Sequence, residues 1–240
     1  MTRPAPLVAI KNVTAGYGGL VVLDNLSLDI APGEFVAIVG PNGHGKSTLL
    51  KTISGLVPAS RGSIALAGVD ITHKRPDRIV AAGIVHVPQG DMLFADMTVL
   101  ENLRMGAYLP QAAAESGRRL EEVFALLPKL KDRRRQIAST LSGGERRMTG
   151  IGRGLMTGGK VLMLDEPSLG LAPIVIDQIY ELVDRLKASG RTIVLVEENA
   201  ARIFERADRV CLLDNGRFVW SGGGAELMRR PELLETYLGG

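Results

Sequence analysis

A five-residue apolar run, Phe35–Val39, leads directly into Gly40-Pro41-Asn42-Gly43-His44-Gly45-Lys46-Ser47-Thr48, and helical periodicity follows to about Ser54. An uninterrupted apolar run of this length marks a strand covered on both faces. The loop after it matches G-x-x-x-x-G-K-[ST] in the strand-to-helix setting that this pattern requires. Its glycines let successive main-chain N–H groups converge on phosphate oxygens, and the N-terminus of the helix adds roughly half a positive charge. Residues Gly40, Pro41, Asn42, Gly43, His44, Gly45, Lys46, Ser47 and Thr48 are therefore the candidate cradle of a polyphosphate. Lys46 is expected to reach the terminal phosphates, Ser47 to offer its hydroxyl to Mg²⁺, and Thr48 to support the inner phosphates. His44 reads as an exposed filler of a variable loop position. The competing interpretation is a glycine-rich tight turn.

Around this loop the chain alternates strand and helix signals. Residues 8–13 and 26–30 alternate as antiparallel strands do, and Pro32-Gly33 closes that piece. Buried-strand runs recur at 84–87, 161–164, 192–196 and 210–213, separated by helical periodicity, which implies a mainly parallel sheet. From Asp96 to Thr157 the strand signals stop. Thr98-Val99-Leu100-Glu101 opens a helix there as a capping box, Gln111 to Gly117 reads as a surface loop or frayed helix end, and Arg133-Arg134-Arg135 as a solvated face. Gly55 is placed to stop the helix after the loop.

Composition narrows the function classes. With 240 residues, 45% apolar and 23% charged, the chain can bury a core without staples. Its one cysteine, Cys211, excludes a disulfide framework, and His44, His73 and His86 have no metal-ligand spacing. A net charge of +3 and 4% aromatic residues give neither the charge nor the stacking platforms of a nucleic-acid reader. No apolar run approaches the about 20 residues of a membrane helix, and Met1-Thr2-Arg3-Pro4-Ala5-Pro6 lacks the pattern of a signal peptide, so a cytoplasmic location is expected.

Two further motifs carry chemistry. Val161-Leu162-Met163-Leu164-Asp165-Glu166 is an apolar strand ending in two carboxylates at the sheet edge where ligands of such folds bind. Beside a phosphate loop, Asp165 is placed to hold Mg²⁺ directly or through water, and Glu166 to polarise an attacking water. Leu141-Ser142-Gly143-Gly144-Glu145 opens a helix with Ser142 as cap and Glu145 as capping-box partner, and its glycines expose a second set of main-chain N–H groups to an anion.

With LSGGE standing between a matching phosphate loop and a matching acidic strand end, nearly the whole chain resembles the ATP-binding subunits of ABC transporters. The resemblance implies an α/β fold of the P-loop NTPase type: a mainly parallel sheet, an N-terminal antiparallel β-subdomain and a helical insertion. Residues 1–240 then form one ATPase domain, with 1–95 and 158–240 as nucleotide-binding core and 96–157 as helical subdomain carrying the signature. It further implies ATP and Mg²⁺ as ligands. Tyr17 matches the aromatic residue that stacks on adenine. Gln89, after Val87-Pro88, matches the glutamine that joins the Mg²⁺ and water site to the membrane partner. Ser142, Gly143, Gly144 and Glu145 would close on the γ-phosphate held by a second ATPase subunit, identical or related.

Ser168-Leu169-Gly170-Leu171-Ala172-Pro173, Glu101-Asn102-Leu103, Gly106-Ala107-Tyr108, and Ala225-Glu226-Leu227 near Tyr237-Leu238-Gly239 resemble the branched-chain amino-acid importers within that family. This implies a motor peripheral to the inner face of the cell membrane, working on separate integral permease subunits and, indirectly, a periplasmic or extracellular solute-binding protein. Urea, amides and aromatic acids are alternative cargoes. A non-transport ABC ATPase acting on DNA and a regulatory subunit that binds ATP but scarcely hydrolyses it are the alternatives of another class. Three positions depart from the wider family: Ala172 replaces an aspartate, Glu198 in Val196-Glu197-Glu198-Asn199 stands where a histidine or glutamine is usual, and Gly154 stands where alanine is usual.

Overall fold

The computed structural model describes residues 5–90, 92–198 and 202–238. Asn199 and Gly239, quoted above, lie outside them. The chain opens with an antiparallel hairpin, β1 (Val8–Tyr17) and β2 (Leu20–Ile30), turned at Gly18-Gly19. β3 (Phe35–Val39), the phosphate loop and α1 (Lys46–Ile53) follow. β4 (Ala59–Leu66) returns to pair with β1, and the two-residue β5 (Val69–Asp70) with β4, completing a four-stranded sheet ordered β2-β1-β4-β5. α2 (Pro76–Ala82) then leads into β6 (Ile84–Val87).

A run of helices comes next: α3 (Val99–Met105), α4 (Pro110–Ala114), α5 (Ser116–Leu126), α6 (Pro128–Asp132), a 3-10 turn Ala138–Thr140, and α7 (Gly143–Met156). The expected capping boxes form at both Thr98/Glu101 and Ser142/Glu145. The chain closes with β7 (Val161–Asp165), α8 (Pro173–Ala188), β8 (Thr192–Glu197), β9 (Arg209–Asp214), β10 (Arg217–Gly222), α9 (Gly224–Leu227) and α10 (Pro231–Leu238).

The second sheet is six-stranded, ordered β10-β9-β3-β8-β7-β6, parallel except at its β10 edge. Successive side chains point to opposite faces, and because both faces are packed its parallel strands read as unbroken apolar runs. Phe35, Ala37 and Val39 enter one core with residues of α3, α5, α7 and α8, while Val36 and Ile38 enter another with the hairpin and α1. The sheet is thus covered on both faces, and all five residues of β3 are fully buried. Each of the four larger side chains, Phe35, Val36, Ile38 and Val39, contributes roughly 1.5–3 kcal/mol of burial. That rigid layer fixes where β3 ends, and with it the phosphate loop. β4, β5 and β10 escape the sequence reading because they alternate weakly and lie at or near sheet edges, and Gln111 to Gly117, read as a surface loop or frayed helix end, covers the end of α4 and the start of α5.

Candidate functional site

The loop is held where a side chain cannot fit. Gly40 has φ 157°, and a Cβ there would lie 2.1 Å from the carbonyl oxygen of Leu213 on β9. The first main-chain N–H groups of α1 have no intrahelical acceptor and no side chain caps them, so they favour an anion. Asn42, Gly43, Gly45, Lys46, Ser47 and Thr48 line one cavity of about 210 Å³, and Gln89 and Glu166 complete its wall.

Lys46 is 3% exposed, and its Nζ donates to the carbonyls of Gly40 (2.8 Å) and Pro41 (3.1 Å) and to Asn42 Oδ1 (3.5 Å). It also lies 3.5 Å from Glu166 Oε1. The ammonium is thus aimed along the loop, where carbonyls offset part of its desolvation. Ser47 Oγ donates to Asp165 Oδ1 at 2.8 Å, and Gln89 Nε2 to Glu166 Oε2 at 3.0 Å. Parallel pairing of β7 with β6 and β8 carries Asp165 and Glu166 to the same sheet edge as the loop after β3.

Glu166 has φ +44°, a left-handed conformation that costs a non-glycine residue about 1–3 kcal/mol. Its backbone is held on several sides. Glu166 N donates to Val196 O at 3.0 Å, while the carbonyl oxygen accepts from Leu169 N (3.3 Å) and from Arg147 Nη1 (2.9 Å). One residue beyond Pro167, Ser168 N donates to Glu197 Oε1 at 3.0 Å, and the Tyr180 hydroxyl donates to the same oxygen at 3.4 Å. Burial pushes the Glu197 carboxyl up, the charge of Glu166 adds to this, and the bonds from Ser168 oppose it. Nothing in the sequence pattern points to Arg147, Glu197 or Tyr180, because a buried polar partner of a loop carries no spacing of its own.

The oxygen set suits a small hard cation. Ser47 and Asp165 place a hydroxyl and a carboxylate at one point, and Gln89 adds an amide oxygen at the cavity wall. Among the described residues no group of three or more His, Cys, Asp or Glu could hold a metal by itself. A cation held by Ser47 and Asp165 would need further ligands from outside these side chains. His86 stands behind Asp165, its Nε2 at 3.9 Å from Oδ2 and its Nδ1 at 3.1 Å from Ser54 Oγ.

His44 is not the exposed filler expected of it. It is half-buried, with Nδ1 at 2.7 Å from Asp214 Oδ1 and its carbonyl accepting from Gly216 N, so it pins the outer arm of the loop to the β9–β10 turn. Arg133, exposed with Arg134 and Arg135 as a solvated face, pairs with Glu145 at 2.5 Å.

The signature stands apart from the loop cavity. Ser142 Oγ accepts from Glu145 N, and Glu145 Oε2 accepts from Ser142 N, so both side chains are engaged in the cap. Against the upward pull of partial burial, these Ser142 bonds and the Arg133 charge hold the Glu145 carboxyl below its ordinary range. Ser142, Gly144 and Glu145 line a separate cavity of about 270 Å³ with residues of α6 and α8, and Gly143 begins the helix beside them. Tyr17, 48% exposed at the end of β1, lines neither cavity.

A family model described as ABC transporter matches residues 23–169, a stretch that includes the loop, the signature and the acidic strand end. The chain belongs to the ABC transporter family. Over 234 residues it is 42% identical to BraG, a high-affinity branched-chain amino acid transport ATP-binding protein of Pseudomonas aeruginosa, covering 98% of this chain and 100% of that relative. It is 39% identical to LivF of Archaeoglobus fulgidus, a protein named as a probable branched-chain amino acid transport ATP-binding protein, covering 95% and 96% of the two chains. A crystal structure of a nucleotide-free ATP-binding cassette from an ABC transporter superposes with a TM-score of 0.86 at 30% identity, covering 98% of this chain and 100% of the other. This ABC protein is an ATPase of the P-loop α/β fold.

Proposed function

We propose that this chain is the ATP-hydrolysing motor of an importer for branched-chain or related amino acids, acting through separate membrane permease subunits fed by a periplasmic or extracellular solute-binding protein. The observation that carries the catalytic part is the convergence of Lys46, Ser47, Asp165, Gln89 and Glu166 on one cavity edge from three separate segments. The cargo assignment rests on the likeness to BraG and LivF along the full chain.

In this mechanism the main-chain amides of residues 40–48 and the Lys46 ammonium bind the triphosphate, whose charge takes over from Glu166 as partner of Lys46. Mg²⁺, held by Ser47, Asp165 and Gln89, would neutralise charge on the phosphate oxygens. Glu166, thereby released from Lys46, orients and polarises water at Oε1, with Gln89 holding Oε2. Tyr17 is exposed enough to stack on a base.

Ser142, Gly143, Gly144 and Glu145 act across the interface with a second ATPase subunit, identical or related, since within one chain they line a different cavity from the loop. Shifting such a pair from 1:99 to 99:1 closed takes about 5.5 kcal/mol of differential binding, a demand that phosphate contacts from two subunits can meet. The permease side is the groove of about 450 Å³ behind Pro88, where exposed Met92, Phe94, Met105 and Tyr108 present apolar surface beside α3 and α7. Among the described residues no helix is long and apolar enough to cross a membrane, which fits a peripheral subunit with residues 96–157 as its permease-facing helical part.

Co-expression with neighbouring permease and binding-protein subunits in vesicles tests this reading: ATP-driven uptake of leucine, isoleucine or valine that disappears in Lys46→Ala is the expected result. Uptake that persists in Lys46→Ala contradicts the motor role, and uptake of amides or urea in preference to amino acids contradicts the cargo.

A further inference from the structure

Glu166 can face the loop only because its backbone takes the left-handed turn. At the end of β7 an ordinary extended continuation would carry the next side chain along the alternation of the strand. With φ at +44° the chain reverses, and the carboxylate comes to Lys46 on one side and Gln89 on the other. Such a conformation persists only where surrounding contacts over-determine it.

One of those contacts comes from an unexpected place. Arg147 lies five residues beyond Ser142 on α7, the helix that the signature opens. It is 5% exposed, and its Nη1 donates to the Glu166 carbonyl at 2.9 Å. A charged donor makes this a stronger bond than the neutral Leu169 N–H at 3.3 Å on the same oxygen. Burying a guanidinium is costly, and one of its N–H groups is spent on a main-chain atom of the residue carrying the base. The planar fork, held inside a packed helix, fixes the peptide plane after Glu166 and hence the direction of its side chain.

We propose that Arg147 is a positioning residue for hydrolysis, holding Glu166 in its left-handed backbone and linking the aim of the base to the seating of the signature helix. This rests on Glu166 being the base.

Steady-state ATPase kinetics of the full chain, with equilibrium binding of a non-hydrolysable ATP analogue, test it in Arg147→Met, Arg147→Gln, Arg147→Lys and Arg147→Ala. Glutamine is too short to reach the carbonyl yet leaves a polar group in the helix, so it decides the matter if the methionine variant does not fold. The expected result for Met and Gln is kcat lower by about 10- to 100-fold, with KM and analogue affinity within about threefold of the parent. Lys, which keeps the charge and a longer reach, retains part of the rate, and guanidinium ion at low millimolar concentration restores turnover to Arg147→Ala, whose short side chain leaves room for it.

A kcat within about twofold of the parent in the folded Met or Gln variant overturns the proposal, as does a loss of kcat matched by loss of analogue affinity and not restored by Lys or guanidinium. Glu166→Gln, measured alongside, separates the two claims. Full turnover in that variant removes the base assignment itself, whereas a silent Glu166→Gln beside a fully active Arg147→Gln removes only the role of Arg147.

Discussion

Asn42 Nδ2 donates to Glu198 Oε2 at 2.8 Å, so a carboxylate from the end of β8 sits on the rim of the phosphate loop. The same amide accepts from Lys46 through its Oδ1 at 3.5 Å, which makes Asn42 a bridge between the cation of the loop and an acid that a triphosphate would meet as a like charge. Glu198→Gln keeps an acceptor for Asn42 and removes that charge. Its affinity for an ATP analogue is expected to rise by about three- to tenfold at low salt, with the gain shrinking as ionic strength increases, because Glu198 is exposed and therefore screened. Titration at two salt concentrations checks this, and an unchanged affinity would mean that Glu198 does not face the phosphates.

The resemblance implies alanine at the position of Gly154, and helix propensity alone assigns glycine a penalty of about 1 kcal/mol there. The structure supplies the reason: a Cβ at Gly154 would lie 2.7 Å from Val87 Cγ2, because α7 packs closely on β6. Gly154→Ala is therefore expected to lose about 1–3 kcal/mol in chemical denaturation despite its better propensity. A gain in stability would show that the α7–β6 contact yields easily.

Much of this was legible in the sequence, and the division has a physical basis. The loop, Asp165, Glu166 and the signature cap are local patterns whose geometry follows from a strand, a turn or a helix end, and the structure forms each of them where the residues indicate. The Arg147–Glu166, Glu197–Ser168 and His44–Asp214 contacts join positions 19, 29 and 170 residues apart, and no periodicity marks them. The left-handed backbone at Glu166 was equally hidden, since glutamate is a residue that ordinarily avoids it. Weak alternation at sheet edges hid β5 and β10, which depend on neighbours rather than on their own pattern.

α8 begins at Pro173 with Ala172 in the cap position and no side-chain acceptor for its first N–H groups. Ala172→Asp supplies that acceptor together with a favourable charge at the helix N-terminus. The expected gain is about 0.5–2 kcal/mol, read as a rise of about 1–8 °C in melting temperature. No rise would mean that an unfavourable contact of the new carboxylate cancels the cap.

Glu197 makes stability depend on pH in a definite direction. Its carboxyl is pushed above its ordinary 4.5 by burial, so between that value and its higher folded-state value the folded chain holds more protons than the unfolded one. Stability contributed at this site therefore falls as pH rises through that window. Glu197→Gln retains an acceptor for Ser168 N and cannot ionise, and its denaturation midpoint is expected to decline less than the parent's from pH 5 to pH 8. Parallel profiles for the two proteins would show that Glu197 is ionised at little cost in the folded chain.

The structure of Glu166→Gln solved with Mg-ATP is the most direct test of the whole account. The triphosphate is expected to lie against the main-chain amides of residues 40–48, with Lys46 at its terminal phosphates and Ser142 to Gly144 of a second subunit closing over the γ-phosphate. A nucleotide whose phosphates lie away from residues 40–48 would contradict it.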